Sequence, residues 1–189
     1  MNNVTENGLL FSLRTGELHL SLKGGKQPFE EFCGAAARAN PKRGFVFVSK
    51  VLGRYTAIKP SSLRHTQEQL AAQIPPSLEG PILVVGLAEA AVGLSQGIHE
   101  IYSQSTQRKD VLYSHTTRYL IEGLESVSFD EEHSHAPKHY LYWPQEPSVR
   151  EIVSRVRTLI VIDDESTTRK TFFNIVSEKS NKRNAFSTF

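Results

Sequence analysis

Two stretches of the chain are apolar at every position, ILVVG at 82–86 and LIVI at 159–162. A strand with one wet face alternates apolar and polar side chains. A strand that is apolar throughout has both faces covered, as in the interior of a parallel sheet. The segments around these runs fit that sheet. Helical patterns cover 65–74, 90–102 and 148–156, strands are expected at 110–114 and 139–143, and a helix with hydroxyls at its start is expected over 166–178. Strands alternating with helices imply an α/β fold, a mostly parallel twisted sheet with helices on both faces.

Toward the N-terminus, GLLFSLRTGELHLSL (8–22) alternates around Thr15-Gly16 as a two-stranded hairpin does, and a GGK turn follows. PFEEFCGAAARA (28–39) reads as a helix. On its face the single cysteine, Cys33, is expected to be a buried structural thiol. GFVFVSKVL (44–52) reads as a strand, with Pro60 and the serines after it breaking the pattern. The segment 115–138 lacks clean periodicity and is expected to be a long functional loop. The expected organisation is a hairpin and helix over 1–43, acting as a hood or flank, a core over 44–179 and a polar tail over 180–189.

The 189 residues suffice for one sizeable core. With 22 basic and 20 acidic side chains the net charge is only +2, so nonspecific nucleic-acid binding is not implied. No apolar run approaches the roughly 20 residues that span a bilayer, and MNNVTENG lacks a basic region followed by an apolar one; a cytoplasmic protein without a membrane partner is expected.

Ligands of such sheets gather at the carboxyl ends of the strands. That rule selects Gly86, Leu87, Ala88, Glu89 and Ala90 after ILVV, the loop after DVLYS, and the residues from Asp163 onward. At the last place, the N-terminus of the helix starting near Thr167 favours an anion, and Ser166, Thr167, Thr168 and Thr171 add hydroxyl donors. Asp163 and Asp164 precede it; carboxylates can accept hydrogen bonds from sugar hydroxyls or hold a hydrated Mg²⁺. The set suits a sugar phosphate. An ordinary capped helix with acids near its positive end would read similarly, and GLAEA alone would equally suit a tight βα turn.

LIVIDDESTTRKT (159–171) resembles the phosphoribosyl-pyrophosphate signature of type I phosphoribosyltransferases. FVSKVLGRY, VVGLAEAAVGL, YSHTTRYL and FDEEHSHAPKH, in order between Phe47 and His139, are similar to segments of its orotate phosphoribosyltransferase-like branch associated with tellurite-resistance and stress gene clusters. The resemblance implies a type I phosphoribosyltransferase-like fold with an N-terminal hood. It also implies a Mg²⁺-dependent transfer of ribose 5-phosphate from phosphoribosyl pyrophosphate to a nitrogenous base, and a homodimer. Asp163 and Asp164 would contact the ribose hydroxyls and hold Mg²⁺ through water, while Ser166, Thr167, Thr168, Arg169, Lys170 and Thr171 would hold the 5-phosphate. Gly86 to Ala90 would lie under the pyrophosphate, with Arg118 and Lys138 of the closing flap as further partners. The acceptor base would be chosen by the hood and flap, including residues near Lys50 to Tyr55.

Glu131, Glu132, His133, His135 and His139 invite a metal, but no fourth ligand set with firm spacing is visible. Glu131, His133 and His135 are instead read as a catalytic cluster moving protons at the substrate, a solvated polar loop being the bland alternative. Tyr113, Tyr119, Tyr140, Tyr142 and Trp143 could stack on a base, yet aromatic residues in strands usually pack, and none is assigned.

The family pattern has glycine where this chain has Arg169. Members also continue past the counterpart of Thr171 with another strand, whereas SNKRNAFSTF (180–189) is polar, so either a truncated chain or an incomplete sheet is expected. Both features favour the alternative reading, a noncatalytic phosphoribosyl-pyrophosphate-binding module. A two-component receiver also begins with apolar residues and paired acids, but it needs roughly 100 further residues.

Overall fold

A computed structural model describes residues 4–5, 8–22, 29–40, 44–130 and 138–165. The chain divides into two compact units, Met1–Leu63 and Arg64–Phe189.

In the first unit, β1 (Val4–Thr5), β2 (Gly8–Leu13) and β3 (Gly16–Ser21) form an antiparallel sheet in the order β1-β2-β3. Leu13 pairs with Gly16, so Arg14 and Thr15 make the turn, and Gly16 leaves it at φ +126°, a backbone region that favours glycine. The predicted hairpin is present, with Leu9 and Phe11 buried on one face.

The helix expected over 28–39 is largely replaced. Only α1 (Phe29–Phe32) is helical; β4 (Cys33–Ala37) runs antiparallel to β5 (Phe45–Ser49). The three alanines favour a helix and the glycine opposes it, and this local preference is overridden by the aromatic, β-branched FVFVS strand beside them, which supplies a complete ladder. Phe29 meets Phe11 and Phe47 edge to face, at 6.4 and 6.0 Å between ring centroids. Cys33 is therefore a half-buried strand residue opposite Ser49, not a thiol on a helix face. The expected strand at 44–52 stops at Ser49, whose hydroxyl accepts the N–H groups of Val51 and Leu52. Such local side-chain bonding offers the backbone an alternative to the ladder.

Helix α2 (Pro60–Ala71) starts at the proline read as a breaker. Proline suits a first helical turn, where its missing N–H would have had no partner. Farther along, β6 (Ile82–Gly86) lies between β7 (Val111–His115) and β10 (Thr158–Ile162), parallel to both, and is buried at every position. The mixed α/β architecture with a parallel sheet is as predicted. Helix α3 (Ala91–Thr106) follows β6 and packs against β6, β7 and β10. Gln67 of α2 is buried against α3, donating to the Gly93 carbonyl at 3.0 Å, and a Cβ on Gly97 would fall 2.1 Å from its amide carbon.

The expected long loop contains a strand. β8 (Ser126–Asp130) and β9 (Lys138–Tyr142) form an antiparallel hairpin, and α4 (Pro147–Ser154) leads into β10. Ser-Val-Ser-Phe-Asp alternates with Val127 and Phe129 inward. Leu83, Val85 and Leu87 form a core with Phe129 and Val156, joined by Leu112, Leu141, Leu159 and Val161. Among the described residues, one sheet face meets α3 and the other meets side chains of this hairpin, rather than helices on both faces.

At the amino edge of the sheet, Arg108 donates to both carboxylate oxygens of Asp110, at 2.8 and 2.6 Å, and to the Leu78 carbonyl at 2.6 Å. The guanidinium bond holds the Asp110 carboxyl below its usual range and raises Arg108. A group whose pKa is lowered on folding contributes stability above its unfolded pKa, about 3.9 for aspartate, and loses it as pH falls through the folded value. Asp110→Asn is thus expected to destabilise at pH 7 and to do so by less at pH 3. Urea unfolding at both pH values checks this, and a constant difference would count against the pairing.

No described helix is long and apolar enough to cross a membrane.

Candidate active site at the carboxyl ends of the parallel strands

Ile162, Gly86 and His115 are in register across β10, β6 and β7, so the three strands end at one edge. The chain leaves β6 through α3 to β7 on one side, while β10 adds on the other. Such a change of direction is where open α/β sheets form a crevice at the carboxyl ends. The edge is flanked by Leu87–Ala90 and by Asp163–Asp164, the two segments selected from the sequence. They are joined directly: the Leu87 N–H donates to the Ile162 carbonyl at 2.9 Å.

Gly86 is required by close approach. A Cβ there would lie 1.9 Å from Ser95 Oγ and 2.9 Å from Ser95 Cβ. That serine has little room to yield, because Oγ donates to the Val92 carbonyl at 2.9 Å and lies 3.1 Å from the Tyr113 hydroxyl. Burial pushes Tyr113 up, as its hydroxyl donates to the same carbonyl. Tyr113 is accordingly a packing residue. Beyond Gly86 the loop turns through a cis peptide between Ala88 and Glu89.

The segment after β7 reaches over this loop. The Thr116 N–H donates to the Gly86 carbonyl at 2.9 Å, the Ala88 N–H donates to Thr116 Oγ1 at 2.8 Å, and Arg118 Nη2 donates to the Ala88 carbonyl at 3.2 Å. Arg118 is thus at the candidate pyrophosphate loop. Lys138 is exposed at the start of β9, opposite Asp130.

Asp163 is half-buried and Asp164 exposed just past β10, and Asp163 Oδ1 accepts the Asp164 N–H at 2.9 Å. Adjacent carboxylates reachable by solvent are suitable ligands for a hard, hydrated cation. Among the described residues no cluster of three or more His, Cys, Asp or Glu could enclose a metal. This donor set fits Mg²⁺, which keeps several waters and needs only one or two carboxylates besides its substrate.

Glu131, Glu132, His133, His135 and the stretch from Ser166 through Thr167, Thr168, Arg169 and Lys170 to Thr171 lie outside the described residues. His139, grouped with the flap cluster from the sequence, is elsewhere. It is 1% exposed, stacked on Phe129 at 5.0 Å and 5° between rings, with Nδ1 2.8 Å from Thr116 Oγ1. Its inward side was legible from spacing, since His139 shares a strand face with Leu141. Thr116 was missed, although it directly follows a strand at the selected edge.

Of the aromatic residues, Tyr142 accepts the Ile121 N–H and donates to the Tyr119 carbonyl, while Tyr119 is exposed. No curated protein matches the chain. A model of the family described as Phosphoribosyl transferase matches residues 32–188, which takes in both loops and the paired aspartates. A match across most of the sequence shows the family: the chain belongs to the phosphoribosyl transferase family.

Proposed function

We propose that the protein transfers ribose 5-phosphate from phosphoribosyl pyrophosphate to a nitrogenous base, releasing pyrophosphate, with Mg²⁺ bound at Asp163 and Asp164. The observation that carries this reading is the register of β10 with β6, which sets the aspartates beside the Gly86–Ala90 loop at one edge. That loop would accept the pyrophosphate, with Arg118 beside it. Asp163 and Asp164 would take the ribose hydroxyls. The base nitrogen forms the C1–N bond as the C1–O bond to pyrophosphate breaks, the electron pair leaving with pyrophosphate. Mg²⁺ held by Asp163 and Asp164 would supply positive charge for a diphosphate leaving group, and the chain's own contribution would be orientation and fixed dipoles. Glu131, His133 and His135 are proposed to accept the proton released by the nucleophile.

The sequence segments that resemble the orotate phosphoribosyltransferase-like tellurite-resistance branch support placement there, and the same resemblance supports a homodimer. Calorimetry with phosphoribosyl pyrophosphate and Mg²⁺ tests the shared binding step, and a folded protein that takes up no ligand would end this reading. Pyrophosphate release across a panel of purine and pyrimidine bases is expected for at least one acceptor. Binding without release from any base would point instead to the noncatalytic module that Arg169 suggests.

A further inference from the structure

Resting on the phosphoribosyl-pyrophosphate reading of this crevice, we propose that Thr116 and His139 are positioning residues that set the backbone of the pyrophosphate loop. Ala88 is held at both polar groups by one short segment: Thr116 Oγ1 takes its N–H at 2.8 Å and Arg118 takes its carbonyl at 3.2 Å. That segment is tied to the sheet by the Thr116 N–H on the Gly86 carbonyl. It is tied to β9 by two 2.9 Å bonds between the backbones of Thr117 and Tyr140.

A threonine hydroxyl can rotate, so its aim needs a partner. His139 Nδ1, 2.8 Å away, is that partner, and its own ring is immobilised by parallel stacking on Phe129 in the core. Thr116 and His139 are each 1% exposed. Water does not compete for these bonds, and in such surroundings they direct geometry strongly. The order of support therefore runs from Phe129 to His139, to the Thr116 hydroxyl, to Ala88. Because the Ala88 N–H is spent inside the protein, the loop donors for pyrophosphate are those of Glu89 and Ala90, whose placement follows that of Ala88.

The test is calorimetry on the full chain with Mg²⁺ and two probes, phosphoribosyl pyrophosphate and ribose 5-phosphate; the second lacks the diphosphate. Thr116→Val keeps the shape and removes the hydroxyl, and His139→Phe keeps the stacked ring and removes Nδ1. Each is expected to weaken phosphoribosyl pyrophosphate by roughly 10- to 100-fold, the scale of a small misplacement at a binding centre, with ribose 5-phosphate affinity unchanged. Thr116→Ser, which retains the hydroxyl, should recover most of the loss. In turnover with an accepting base, the loss should appear in KM rather than kcat. Equal weakening of both probes would mean a merely structural role and overturn the proposal, as would wild-type affinity in Thr116→Val and His139→Phe. Should wild type bind neither probe, the functional reading falls and takes the positioning role with it. Binding by wild type with unaffected variants overturns the positioning role alone. If Thr116→Val does not fold, His139→Phe decides by the same comparison.

Discussion

Replacing Asp163 and Asp164 together with asparagine is expected to weaken phosphoribosyl pyrophosphate binding in Mg²⁺ by about 100-fold or more. Hydrogen bonds to a charged group contribute about 1.5–3 kcal/mol each, and about 1.4 kcal/mol is a factor of ten. Losing two such acceptors therefore exceeds two decades. Asparagine keeps the size and one acceptor oxygen, so the loss reports charge rather than shape. The aspartates stand past the end of β10, half-buried and exposed, and the Ile160 and Val161 ladder to β6 does not depend on their charge. The melting midpoint should accordingly stay close to wild type. Calorimetry and a thermal melt on the same sample separate the outcomes, and an unchanged Kd would remove the aspartates from the site.

The second large effect is expected at Gly86. Gly86→Ala places a methyl group 1.9 Å from Ser95 Oγ, whose bond to the Val92 carbonyl and contact with Tyr113 resist displacement. Overpacking of this kind costs about 1–3 kcal/mol, enough to lower the melting midpoint by several degrees. The strain arises at the last residue of β6, so relief by moving the backbone shifts Leu87–Ala90 and weakens phosphoribosyl pyrophosphate binding as well. Gly86→Ala with Ser95→Gly opens the space again and should restore both properties. A single variant with the stability and affinity of wild type would show that the loop tolerates a side chain.

Much of the site was legible because its signals are local. ILVVG and LIVI announce strands covered on both sides, glycine follows the first and paired acids the second, and strand ends are where ligands of parallel sheets gather. The errors were also physical. The alanines of CGAAA favour a helix, but pairing with FVFVS, close in sequence and invisible to periodicity, made the segment a strand. Pro60 opens a helix as readily as it ends one. The segment 115–138 hid β8 because its five-residue alternation is short and its flanks are polar.

By itself the sequence determined the α/β class, the central buried strands, the N-terminal hairpin and the position of the two candidate loops at the strand ends, since each depends on residues near one another in the chain. Only the tertiary structure decided which residues from distant segments meet. It joined β10 to β6 across more than seventy positions, brought Arg118 to Ala88, and buried His139 between Phe129 and Thr116. Periodicity says which side of an element faces inward, but not what it will find there. A hydrogen bond such as that between Ala88 and Thr116 exists only once sheet register has set two loops side by side.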